Sequence, residues 1–279
     1  MEPRTTAEVS GMGHSMKRKE DPRFIRGQGH YVDDIKLPGM LHMDIVRSPY
    51  AHAKITAIRT EKALAIPGVL AVITGETLKG FNLHWMPTLM SDTQMVLPVE
   101  KVMYQAQEVA AVIATDRYIA ADGVEAVEVD YEPLPVVVDP RKALEPGATV
   151  LRTDKEGKKD NHIWHWEAGD RAATDKAFAE AEVTVKQDLY IPRIHVASIE
   201  TCGCVADFDR AMGKLTVYMT TQAPHAIRTV FALVAGHVGL SEERIRIVSP
   251  DLGGGFGGKV PVYPGYVIAV AASVVLGKP

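Results

Sequence analysis

Cysteine is nearly absent from this chain of 279 residues: Cys202 and Cys204 are the only two. Two thiols cannot build a disulfide framework, and such scarcity fits a reducing compartment. Long apolar runs are also missing. The longest, Tyr266–Leu276, is too short to cross a bilayer. No long basic block offsets the formal charge of −4, which argues against a dedicated nucleic-acid binder. The stretch Met1–Glu20 is polar and lacks the hydrophobic region of a secretory signal, so a cytoplasmic location is expected. What is present is ordinary globular material. A 46% hydrophobic content excludes disorder, and the length suggests two domains.

Periodicity divides the chain into two blocks of mixed elements, an α+β pattern. Residues 1–19 read as a polar lead-in. In residues 20–139, strands are expected at Leu41–Val46, Ile55–Ile58, Val69–Thr74 and Gln107–Ala114, with helices at Lys62–Ile66 and Tyr118–Val127. Residues 140–161 carry Pro140, Pro146, Gly147, Gly157 and a charge run, the composition of a solvated linker. In residues 162–279, Ala172–Ala181 predicts a helix and Val183–Tyr190 a strand. Cys202–Phe208 and Leu215–Thr220 predict a hairpin. Pro224–Ala235 predicts a helix that opens on proline and stops at Gly236, followed by a strand at Ile245–Val248. The last helix, Tyr266–Leu276, is apolar on every face except at Ser273. It must be covered on all sides, so an exposed patch is expected where the chain stops at Gly277-Lys278-Pro279.

The run Gly253-Gly254-Gly255-Phe256-Gly257-Gly258-Lys259 is the most informative stretch. So many glycines cost conformational entropy, so the backbone there must go where side chains would obstruct it. A row of N–H groups approaching an anionic or oxo ligand is the functional reading. A flexible connector is the bland alternative. Gly253, Gly255 and Gly258 satisfy a dinucleotide fingerprint, but Pro261 and Pro264 stand where its helix should open. The run also nearly matches a phosphate-binding loop, with Val260 in place of the required hydroxyl residue. A nucleotide-phosphate binding module therefore stands as a second reading, and a scaffold that docks partner subunits as a third.

Two other stretches stand out. In Thr220-Thr221-Gln222-Ala223-Pro224-His225, Gln222 falls beside a helix N-terminus, where its amide and free backbone N–H groups suit an oxygen-rich ligand. In Glu200-Thr201-Cys202-Gly203-Cys204, both thiols would face one side of a strand as small buried hydrophobes; two thiols do not complete a metal site.

Together these stretches resemble the large, molybdenum-binding subunit of the xanthine dehydrogenase/aldehyde oxidase family. The opening Glu20–Asp34 is similar to that family's N-terminal signature. Arg47-Ser48-Pro49-Tyr50-Ala51-His52-Ala53 and Asp130-Tyr131-Glu132-Pro133-Leu134-Pro135 resemble its next landmarks. Thr221–His225 and Gly253–Lys259 resemble its cofactor-binding segments. Ser198–Cys204 is more similar to the carbon monoxide-oxidising branch than to the purine-oxidising one. The resemblance implies a hammerhead-like α/β domain over 20–139, then the N-terminal part of a molybdopterin-binding domain over 162–279. It implies molybdopterin cytosine dinucleotide carrying molybdenum, with copper possible in the full-length subunit. Gln222 would donate its amide to a molybdenum oxygen ligand. Gly254, Gly255, Phe256 and Gly257 would form the loop beside it, with Phe256 an apolar wall for a small substrate. An iron–sulfur small subunit and an FAD medium subunit are the implied partners, in a dimer of heterotrimers. Carbon monoxide is the implied substrate, with an aldehyde or N-heterocycle as the alternative. The family's copper-binding cysteine and glutamate base match nothing in this sequence, so it is expected to be an inactive fragment with no catalytic residue of its own.

Overall fold

A computed structural model of the chain describes residues 12–13, 16–88 and 92–279. The polar lead-in expected over residues 1–19 falls largely outside them. The strand Glu108–Ala114 is buried at every position and forms the middle of an antiparallel sheet between His42–Arg47 and Val69–Thr74. Its small and β-branched side chains let the helix Arg117–Ala126 approach closely. A Cβ on Gly123 of that helix would stand 2.6 Å from Val112. A second antiparallel sheet sets Ala53–Arg59 between Lys101–Val102 and Glu128–Pro133. All six elements expected in this block are present, displaced by a few residues at most.

In the second block the hairpin Cys204–Asp209/Lys214–Met219 is joined by Ile245–Val248, which lies parallel to Lys214–Met219. The crossover between these two parallel strands is the helix Pro224–Ala235, which buries Ile227, Phe231, Val234 and Ala235. It ends at Ala235 with Gly236 at the cap, as expected. Gly236 stays right-handed and leads a 3₁₀ turn through Val238, and the left-handed break falls at Gly239. Tightening the last turn keeps terminal carbonyls bonded for three more residues.

The last helix, Pro264–Leu276, corrects the expectation of an exposed patch. None of its residues is exposed, because it is wedged between the two blocks. One side packs on Cys204–Asp209 and the other on Glu108–Ala114. Tyr266, Val267, Ile268, Val270 and Ala271 thus share a single core with Ile73, Ala111 and Ile113. Its lone polar interruption, Ser273, accepts the backbone N–H of Phe208 at 2.9 Å and so caps the edge strand Cys204–Asp209 of the second block's sheet. Left-handed Gly277 closes the helix. Arg210 donates to the Val275 carbonyl at 2.8 Å, a favourable charge at a helix C-terminus.

Exposed apolar surface lies elsewhere. Val183–Tyr190, expected as a strand, runs without a strand partner among the described residues. Its apolar side chains Val183, Val185, Leu189 and Tyr190 are exposed, as are Ile191, Ile194 and Ile199 beyond it. Alternation makes an apolar face, but a strand also needs a ladder. The segment 140–161 is not a free linker either. Arg152 is clasped by Asp92 and Asp154, and the Asn161 side chain bonds Leu151, Ala143 and Thr149.

The opening segment is fastened to the residue two places before the glycine run. Arg23 grips both carboxylate oxygens of Asp251, which also accepts the His30 N–H at 2.8 Å. Asp251 in turn donates its N–H to the His30 carbonyl at 2.9 Å. The Arg23 guanidinium, helped by the His30 N–H, pulls the Asp251 carboxyl down to about 2 from an ordinary 3.8. A lowered folded-state value stabilises above the ordinary one and is lost as pH falls through the folded one. Asp251→Asn is therefore expected to lower stability at neutral pH. It should also flatten the acid loss between pH 3.8 and about 2, read as denaturation midpoints across that range. Replacing Ser273 by alanine strands the Phe208 N–H and should cost about 1–3 kcal/mol in a urea titration.

Candidate functional site

The glycines of residues 253–258 have separate structural reasons. A Cβ on Gly253 would stand 2.5 Å from the Glu200 Cβ. One on Gly255 would stand 2.5 Å from the Gln222 Cδ, and one on Gly258 2.4 Å from Val196. Gly254 and Gly257 instead adopt left-handed backbone, at φ +101° and +84°. The close approach foreseen from sequence is thus made first by the protein's own side chains. Phe256 is left-handed too, at φ +48°, and its ring is 77% exposed beside Gly254. For a bulky residue this backbone is strained.

Gln222 is pinned to this loop. Its Oε1 accepts the N–H groups of Gly257 at 3.2 Å and Lys259 at 3.3 Å. Its own N–H donates to the Lys259 carbonyl at 3.0 Å. Two backbone donors leave no choice of orientation for the carboxamide, since only its oxygen can accept them. The Nε2 hydrogens are therefore spare, on an exposed side chain. Among the described residues, the N–H groups of Gly254, Gly255 and Phe256 also meet no acceptor, whereas that of Gly257 is taken by Gln222. The helix Pro224–Ala235 starts next to Gln222 with no side-chain cap, so its positive end adds to the same field. The result is a cradle rich in uncharged donors. It fits a group that presents oxygen or anionic oxygen to the protein.

Sequence reasoning missed what holds the cradle. Glu200 Oε2 accepts both the Gly253 N–H at 2.7 Å and the Lys259 ammonium at 2.8 Å. The Lys259 side chain is only 2% exposed. This overturns the phosphate-loop reading, because the lysine that would meet a phosphate is buried on a carboxylate. The dinucleotide fingerprint fails on geometry, since the helix after the loop begins only at Pro264. Tyr263, just before it, donates to the Gly258 carbonyl at 2.7 Å. Nothing local signals the Glu200–Lys259 pair; only the fold brings residues so far apart in sequence together.

The remaining expectations divide. Cys204 opens its strand and packs against the core, where burial pushes its thiol up to about 12. Cys202 lies before the strand and is exposed, so the two thiols do not share a strand face as buried hydrophobes. A cleft of about 1130 Å³ is lined by Tyr31, His42, Glu200, Cys202, Lys259 and Tyr266 among others, but not by Gln222 or residues 254–257. Cleft and cradle share Gly258 and Lys259 of the loop, and Val196 and Glu200, which pack against it.

Comparison with known proteins gives this geometry a context. Residues 26–135 match the aldehyde oxidase and xanthine dehydrogenase a/b hammerhead domain, and residues 154–279 match the molybdopterin cofactor-binding domain. The carbon monoxide dehydrogenase large chain of Hydrogenophaga pseudoflava is 58% identical over 97% of this chain. The nicotine 6-hydroxylase large subunit of Paenarthrobacter nicotinovorans is 33% identical over 96% of it. The chain spans 34% and 32% of these two relatives, about a third of their length. Among solved structures, the Cu,Mo-CO dehydrogenase in its carbon monoxide reduced state superposes with a TM-score of 0.86. It is 55% identical, over 96% of this chain and 34% of that one. Two domain matches in order, joined to high identity across nearly the whole chain, place this protein in the xanthine dehydrogenase/aldehyde oxidase family of molybdenum-binding large subunits.

Proposed function

We propose that this chain forms one wall of the cofactor pocket in a molybdenum hydroxylase that oxidises carbon monoxide to carbon dioxide. The observation that carries the reading is the commitment of Gln222 Oε1 to two loop N–H groups, which leaves its amide donors beside the free N–H groups of Gly254, Gly255 and Phe256. Identity to carbon monoxide dehydrogenase large chains supports the choice of substrate.

The reaction takes carbon monoxide and water to carbon dioxide, two protons and two electrons. When bound, a molybdopterin cytosine dinucleotide with molybdenum, and with copper as in the Cu,Mo relative, supplies the two-electron chemistry. This chain's residues bind and orient. Gln222 would donate its amide to an oxygen ligand of the metal, and the loop N–H groups would stabilise negative charge on that side. Such donors act without reorganising, because Glu200, Gln222 and Val196 already fix the backbone that carries them. Phe256 would turn an apolar face to a small substrate. The electrons would pass to iron–sulfur and FAD subunits in a dimer of heterotrimers in the cytoplasm. No described helix is long and apolar enough to cross a membrane. The hammerhead unit is assigned to residues 20–139 and the molybdopterin-binding unit to residues 162–279, although the two share a core.

Gln222→Glu separates the two jobs of this side chain. A carboxylate still accepts the Gly257 and Lys259 N–H groups but has nothing to donate. In the assembled enzyme, carbon monoxide-dependent dye reduction is expected to fall roughly 10²–10³-fold, the usual cost of one lost preorganised donor. Unchanged turnover would overturn the assignment. Gly255→Ala drives a Cβ into the Gln222 carboxamide and is expected to lower molybdenum per chain, measured by elemental analysis.

A further inference from the structure

One carboxylate closes both ends of the glycine run. Glu200 Oε2 holds the N–H of Gly253 at the first residue and the ammonium of Lys259 at the last, and the Glu200 N–H donates back to the Gly253 carbonyl at 3.2 Å. Lys259 is tied to Gln222 by two backbone hydrogen bonds, one accepted by Oε1 and one given by the Gln222 N–H. A continuous path thus runs from Glu200 through Lys259 to the Gln222 carboxamide. The other carboxylate oxygen, Oε1, is buried with no partner among the described residues. Desolvation offsets most of the attraction in such a pair, so it is a weak source of net stability. Its charge-assisted bonds are short and directional, which makes it a good source of fixed geometry.

We propose that Glu200 and Lys259 are positioning residues. Their ion pair sets the spacing of the loop N–H groups and the aim of the Gln222 amide, and neither residue needs to touch the cofactor or substrate. The proposal rests on the reading of the loop as a cofactor cradle, and it makes a separate claim about the loop itself.

The test uses Glu200→Gln, Lys259→Met and the double variant in the assembled protein, made in a host that synthesises the cofactor. Hydrogen–deuterium exchange of peptides covering residues 253–259 is compared with that of the neighbouring strand Ile245–Val248. Each single variant is expected to raise loop exchange about tenfold or more, while the strand stays unchanged. The double variant leaves no stranded charge, so its melting temperature should recover toward wild type. Its loop exchange should remain raised and its molybdenum per chain low. A role confined to stability predicts instead that all three recover together, and that result overturns the proposal. So does wild-type loop exchange in both single variants, or wild-type molybdenum content in a loop that has loosened. If wild type itself holds no molybdenum, the cradle reading fails, and raised loop exchange in the variants still supports the ion pair as what positions the loop.

Discussion

The loop at residues 253–259 can exist only because side chains from two other segments close on it at distances that exclude a Cβ. Glu200, Gln222 and Val196 each occupy the space a larger residue would need. Most of the site follows from this constraint. The loop is held by donors and acceptors that the protein itself supplies. What remains unpaired among the described residues is a short row of N–H groups and one side-chain amide. A cradle of uncharged donors favours oxygen carrying partial or full negative charge, and it does so without a cation that would bind phosphate indiscriminately.

The elements that present this loop are themselves anchored at a distance. Arg23 and His30, from the opening segment, grip Asp251 two residues before it. Beyond it the last helix runs between the strands Glu108–Ala114 and Cys204–Asp209 and gathers both blocks into one core. The site is therefore rigid on both flanks, whereas the apolar segment of residues 183–199 that leads up to Glu200 is largely exposed. Fixed flanks with a donor-lined loop between them are what preorganisation requires.

Much of the fold was legible in one dimension. The strand Val69–Thr74 and the helix Pro224–Ala235 follow from β-branched alternation and from proline followed by apolar residues at helical spacing. Gln222 and the glycine run were legible as a pair of ligand-facing stretches because glycine density and a helix start are local signals. Three things were not legible. The apolar helix Pro264–Leu276 looked uncovered because its covering strand Glu108–Ala114 lies far back in the chain. Val183–Tyr190 alternates like a strand, but pairing is a property of neighbours. Lys259 completes a near-match to a phosphate-binding loop in the sequence, but its ammonium lies on Glu200.

The sequence by itself determined the composition of the site: which residues donate, where the backbone must bend, and the family whose motifs stand in this order. Short-range rules suffice for that, since glycine, proline and apolar spacing act within a few residues. Tertiary structure decided what each group is free to do. It committed the Gln222 oxygen inward and left its amide outward, buried the one lysine of the loop, and gave three glycines steric rather than conformational reasons. Those outcomes depend on atoms contributed by segments distant in the chain, and only folding brings such atoms within bonding distance.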